Sequence, residues 1–187
     1  MKKIKSLLLV MVLLVGLLIV PIQGATSQQD DAANQLKTLG LLQGYTDGTL
    51  GLDRTINRVE MTVLLIRLLG YESNIVIGAE NHQFKDINGN YWGQPWIQKA
   101  AALALMKGFP DQTFRPEQSI TYAEAVALMV RLMKKEDNLV GDWPMNYMNR
   151  GREIGILPPG LNKEPNQHLT RGEVSEIIWN TLLTKIK

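Results

Sequence analysis

The 187 residues suffice for one domain of ordinary size or a few small repeats, and the absence of cysteine excludes a disulfide framework, thiolate metal ligands and a lipid-modified N-terminal cysteine. Twenty basic residues against 18 acidic give a formal net charge of +2. Three of those lysines fall in a leader; without them 17 basic face 18 acidic residues, so the dense cationic surface that nucleic-acid binding needs is missing.

The leader comes first. Lys2, Lys3 and Lys5 precede an apolar run from Leu7 to Val20, then Pro21 and the small residues Gly24 and Ala25. That is the order of a secretory signal peptide, assigned to residues 1–25. The run of 14 residues is shorter than the ~20 that span a bilayer as a helix, so an uncleaved anchor is the weaker reading. Membrane contact is expected only through this segment during export.

Three similar units follow. The first, residues 31–72, holds "LKTLGLLQGYTDGTLGLDRTINRVEMTVLLIRLLG". Its Leu36–Leu42 stretch reads as the end of a first helix and Asn57–Leu69 as a second, apolar nearly all round and so packed on several sides. Residues 71–83, "YESNIVIGAENHQ", show no helical period and read as an insertion. The second unit, residues 84–135, is the fullest. Trp96, Ala100, Leu103 and Met106 share one face of a first helix that Gly108 would stop; "FPDQTFRPE" is a loop, and a second helix runs over residues 122–134. In the third unit, residues 140–187, Val174, Ile177, Ile178, Thr181 and Leu182 form a one-sided stripe on the second helix. Each unit is too small for its own core, so the three should fold as one body, their second helices meeting as a central bundle.

Each second helix begins with the same signal. Asn57-x-x-Glu60, Thr121-x-x-Glu124 and Thr170-x-x-Glu173 are capping boxes, in which side chain and backbone at the helix start satisfy each other. Between cap and glutamate stand Arg58, Tyr122 and Arg171, at spacings of 64 and 49 residues. An arginine at the first helical position opposes the helix dipole at a cost of about 0.3–1 kcal/mol, so it calls for a partner. A bound carboxylate or phosphate, held together with the free helix amides, is one such partner. A salt bridge to an acid of a neighbouring repeat is the other.

"FKDINGNYW", a helix, "GFPDQTFRP" and then "TYAE" before an apolar helix together resemble the S-layer homology (SLH) repeat, with "GYTDGTL…NRVE" and "TRGE" as partial copies. The resemblance covers about residues 31–187. It implies an all-α fold, three helix-loop-helix repeats in a pseudo-threefold spindle around a central three-helix bundle. It also implies a secreted, non-enzymatic protein of the cell wall and S-layer. Grooves between repeats would bind secondary cell-wall polysaccharide, commonly carrying a pyruvate ketal, with other envelope proteins as further partners and no cofactor or metal. Carried over by motif, the ligand candidates are Arg58, Arg171, the loop glycines Gly44 and Gly108, Asp86, Trp92, Asp142 and Trp143 from the repeat openings, and Tyr122, which can donate one hydrogen bond at the arginine's place but supplies no charge. The tryptophans could stack on sugar or sit in the core. Three departures bear on competence: Tyr122 in place of arginine, a first repeat without its "F-x-D…W" opening, and "GILPPG" in place of the third loop's Gly/Asp turn. At most two competent grooves are expected.

Rival readings are weaker. His82 and His168 have no companion at ligand spacing, and no nucleophile elbow, P-loop or zinc-protease motif is present. Asp86, Asn88 and Asn90 alternate as in a calcium loop, but Tyr91 and Ile97 stand where its glycine and bidentate glutamate belong. The more serious alternative is a helical repeat that binds envelope proteins and has lost its sugar.

Overall fold

The computed structural model describes residues 26–75 and 84–186. The signal peptide, most of the 71–83 insertion and His82 lie outside the described residues. Among the described residues the fold is all-α, with no strand. The helices are α1 (Ser27–Thr38), α2 (Arg58–Leu68), α3 (Gln94–Ala102), α4 (Tyr122–Leu132), α5 (Met145–Glu153) and α6 (Arg171–Ile186), with a short 3₁₀ turn at Glu72–Asn74.

The helix starts follow local chemistry. Asn57 and Thr121 accept from the amides of Glu60 and Glu124, whose carboxylates take the cap amides in return. Thr170 and Glu173 make the same pair of bonds at the head of α6. A further box, Thr26 with Gln29, opens α1 at Ser27, ahead of residue 31.

The helix ends follow one scheme. After α3, Ala104 takes a left-handed backbone (φ 56°), its amide bonds the Ala101 carbonyl, and the Leu105 amide bonds that of Ala100. This 6→1 and 5→2 pair is a Schellman closure. It recurs with Gly40, Gly70, Lys134 and Gly155 in the left-handed position. The first helix of repeat 2 therefore ends at Ala102, not near Gly108. Leu103 and Met106 kept the apolar spacing because they pack on the same core after the helix has stopped.

Packing crosses the repeat boundaries. Helix α2 packs on α3, α4 on α5, and α6 on α1, so each second helix covers the first helix of the next repeat rather than its own. The third of these contacts closes the chain into a ring. At its centre lie the fully buried Ile56, Ile120 and Leu169, one just ahead of each cap. Their backbones form a three-membered hydrogen-bonded cycle: Ile56 N–H donates to Leu169 C=O (3.0 Å), Leu169 to Ile120 (3.1 Å), and Ile120 to Ile56 (3.1 Å). The three second helices thus start around this cycle, and α4 and α6 are also in contact with each other. One continuous core links all the repeats.

Candidate functional site

The ring dictates what surrounds each helix start. The first two amides of α2 donate to the Gln118 and Pro116 carbonyls, those of α4 to Gln167 and Pro165, and those of α6 to Arg54 and Leu52. In every case the acceptor is the loop of the next repeat. These amides are therefore not available to an anion, which corrects the picture of free helix ends waiting for one. A tertiary contact has taken the unsatisfied donors that any helix start carries.

The two arginines follow the same direction. Arg58 is buried; its Nε donates to Phe114 O (2.9 Å), Nη2 to Lys107 O (3.2 Å), and Nη1 lies 3.6 Å from Glu124. Arg171 repeats this with Leu50 O (3.0 Å), Gln43 O (2.9 Å) and Glu60 (3.4 Å). Each guanidinium lies against a loop ring, Arg58 on Phe109 (4.8 Å) and Phe114 (4.9 Å), Arg171 on Tyr45 (4.8 Å). Burial pulls the Arg58 pKa down, and Glu124 pushes it back up. The partner that a cation at the first helical position requires is thus an acid and two carbonyls of the neighbouring repeat. Five N–H donors serve three acceptors, which leaves an edge of the fork toward the groove above.

Two grooves stand over these arginines, and pseudo-symmetry matches them position by position. One, of ≈ 270 Å³, is lined by Arg58, Lys107, Phe109, Glu124, Arg131 and Trp143, together with Met106, Ala127 and Leu128. The other, of ≈ 200 Å³, has Arg171, Gln43, Tyr45, Glu60, Arg67 and Trp92 at the corresponding places, with Leu42, Val63 and Leu64. Each groove is assembled from three repeats: an arginine from the one before, a loop and second helix from its own, and a tryptophan from the one after. Both tryptophans are largely exposed (Trp92 58 %, Trp143 53 %), so the core alternative does not hold for them. A second cation closes each groove: Arg67 lies over Trp96 and pairs with Glu72 (2.9 Å), while Arg131 lies over Tyr147 and pairs with Glu136 (3.1 Å).

The third junction lacks both arginines and the tryptophan. Tyr122, buried at 3 % exposure, takes the arginine's place. Asn180 stands nine residues into α6, where α2 and α4 carry Arg67 and Arg131. Gln28 occupies the tryptophan position, ten residues before the end of α1 as Trp92 and Trp143 are before the ends of α3 and α5. The "GILPPG" loop belongs to this junction too. Glu173, left without an arginine, is instead held by Lys163 at 2.9 Å. Lys163 stands where Phe114 and Leu50 offer their carbonyls to the arginines of the other two junctions.

The remaining candidates have structural contacts. Asp86 accepts from the Phe114 and Arg115 amides (2.8 and 2.7 Å), fastening the repeat-2 loop. A Cβ on Gly108 would lie 2.8 Å from Thr113 O, and one on Gly44 2.8 Å from Thr49 O, so both positions exist for close backbone approach. Asp142 is exposed beside Trp143 and does not line the groove. Lys107, Arg67, Arg131 and the loop rings Tyr45 and Phe109 were missed by sequence reasoning. Their signal was present: Arg67 and Arg131 recur at one place in two repeats. Among the described residues no cluster of His, Asp and Glu could hold a metal, and no helix is long and apolar enough to cross a membrane.

Residues 83–126 match the family model of the S-layer homology domain. The chain carries an S-layer homology domain. It is 32% identical over 166 residues to a surface layer protein of Brevibacillus choshinensis, covering 86% of this chain and 15% of that protein. It is 31% identical over 156 residues to the middle cell wall protein of Brevibacillus brevis, covering 83% and 15% respectively. A cellulosome-anchoring protein of Acetivibrio thermocellus is 40% identical over 96 residues, 51% of this chain and 21% of that one. The chain thus spans about a seventh of the length of the first two relatives. The SLH match falls on repeat 2, the loop and opening of which build the Arg58 and Trp92 sides of the two grooves.

Proposed function

We propose that this SLH protein is exported and anchors non-covalently to the cell wall, holding an acidic secondary cell-wall polysaccharide in the Arg58 and Arg171 grooves. One observation carries the reading: two grooves keep a buried arginine, a second arginine and an exposed tryptophan at matched positions, while the third junction has lost all three. Shared loss at one junction and shared retention at two is the pattern of a ligand site, because the arginine's structural task can be met otherwise, as Lys163 meets it for Glu173. A tryptophan face suits the C–H side of a pyranose, and guanidinium edges suit the carboxylate of a pyruvate ketal. The relatives named for cell-wall, surface-layer and anchoring roles support the same assignment, and nothing in it calls for catalysis.

The test is co-sedimentation of the chain lacking residues 1–25 with purified, protein-free cell-wall sacculi of its own organism. Pelleting that is lost after the wall's acidic substituents are removed is the expected result. A protein that stays in the supernatant refutes wall binding and leaves the helical surfaces to bind other envelope proteins. Pelleting that survives removal of the acids refutes the arginine-carboxylate contact.

A further inference from the structure

The two grooves differ beyond their shared lining. The Arg58 groove adjoins a second cavity of ≈ 500 Å³ lined by Thr121, Ala123, Glu124, Trp143, Pro144, Pro165 and Asn166. Trp143 and Glu124 border both cavities, so the indole stands as a wall between them. At the pseudo-equivalent place beside Trp92 the space is taken. There the ring of Tyr91 lies within 2.8 Å of a Cβ built on Gly93, and packs on Trp92 with ring centroids 5.9 Å apart. Its hydroxyl donates to Glu117 (2.7 Å), which also receives Asn57 Nδ2 (2.8 Å). In the other junction Asp142 stands for Tyr91, Asn166 for Glu117 and Ala123 for Val59, each a smaller side chain. Pro144, in place of Gly93, is the larger residue of its pair, and the cavity lies where the other three are smaller.

Building on the wall-glycan reading, we infer that the Arg58 site is a two-sugar site and the Arg171 site a one-sugar site. The acidic residue sits over Arg58 and Arg131, and the adjoining sugar lies across Trp143 in the second cavity. The walls of that cavity fit an uncharged pyranose. Trp143, Pro144, Pro165 and Ala123 present flat apolar surface to ring C–H groups, while Asn166 offers hydrogen bonds to hydroxyls at the rim. A longer glycan therefore gains contacts at one groove only, and the two grooves take different stretches of the same polymer.

The measurement uses the chain from residue 26 onward, with one groove tryptophan silenced at a time. Trp92→Phe leaves Trp143 to report the Arg58 site, and Trp143→Phe leaves Trp92 to report the other; Trp96 and Trp179 are common to both. Fluorescence is titrated with the methyl glycoside of a pyruvylated hexose, then with the disaccharide that carries one more neutral hexose. Through Trp143 the disaccharide is expected to bind about three- to tenfold tighter than the monosaccharide, and through Trp92 equally well. Asp142→Tyr combined with Asn166→Glu, which rebuilds the Tyr91–Glu117 filling, should erase the gain and leave monosaccharide binding unchanged. Equal gains at both reporters, no gain at either, or a gain that survives the rebuilt filling would each overturn the two-sugar site while leaving acid binding intact. If neither sugar binds either groove, the wall-glycan reading falls with it.

Discussion

Replacing Arg171 by alanine separates a structural arginine from one held in reserve for ligand. The substitution removes two hydrogen bonds from a charged donor, to Leu50 O and Gln43 O, and strands Glu60, which is 21 % exposed and keeps only the Tyr45 hydroxyl (3.1 Å) and its cap amide. Bonds to charged groups contribute about 1.5–3 kcal/mol each, and breaking a buried pair from one side costs about 3–5 kcal/mol. These contacts share one guanidinium and do not add in full, and Glu60 keeps partial hydration, so the expected total is about 3–5 kcal/mol, that of breaking one buried pair from one side. For a chain of this size that is a fall in Tm of about 6–20 °C. Urea unfolding followed by far-UV circular dichroism measures it, with a lower midpoint at unchanged slope as the signature. Arg171→Lys should recover only part, since an ammonium cannot fork between two carbonyls and a carboxylate. A loss below about 1 kcal/mol for Arg171→Ala would refute the reasoning. It would mean that the guanidinium is not engaged by the neighbouring loop in solution.

Three further expectations follow from particular contacts. Ala104→Gly and Lys134→Gly relieve left-handed residues at positions where the other Schellman closures carry glycine, and each should stabilise by about 0.5–1 kcal/mol in the same urea assay. Gly108→Ala drives a Cβ against Thr113 O at 2.8 Å and into the Phe84 ring, and should cost about 1–3 kcal/mol in sugar-free protein, where a purely ligand-contacting glycine would cost little. Burial lifts the Glu176 carboxyl above its ordinary 4.5; Glu173 adds to the rise, and a hydrogen bond with Gln29 opposes it. The folded state thus favours the protonated acid, a contribution fully present below pH 4.5 and lost as the pH rises through the folded pKa. Glu176→Gln should therefore raise Tm at pH 7 and leave it nearly unchanged at pH 4, which a pair of thermal scans decides.

The helix starts were legible because capping is local: a cap, an acid three residues on and an apolar run suffice. The need of Arg58 and Arg171 for a partner was legible too, since a cation at the first helical position is disfavoured by its own helix. The partner's identity was not, because Leu50 and Gln43 lie 121 and 128 residues from Arg171 and only the closed ring brings them there. The end of α3 was hidden for a different reason. Leu103 and Met106 obey the helical period, yet Ala104, which carries no sequence mark of a left-handed residue, turns the chain. Tyr122, the missing tryptophan and the altered third loop could each be read as a departure. That all three fall on one junction could not be read, because a junction draws its residues from three different repeats.

Repeat proteins that stack can lengthen by one unit and keep their old interfaces, since each unit needs only a neighbour on either side. The cycle of Ile56, Leu169 and Ile120 forbids that here. Each backbone N–H in it is already committed to a carbonyl in the same cycle, and a fourth unit would find no free donor there without breaking one of the three bonds. Variation in such a molecule has to proceed by changing what the junctions carry rather than how many there are. The junction of Tyr122 and Lys163, rebuilt in side chains but intact in backbone, is an example of that constraint in action.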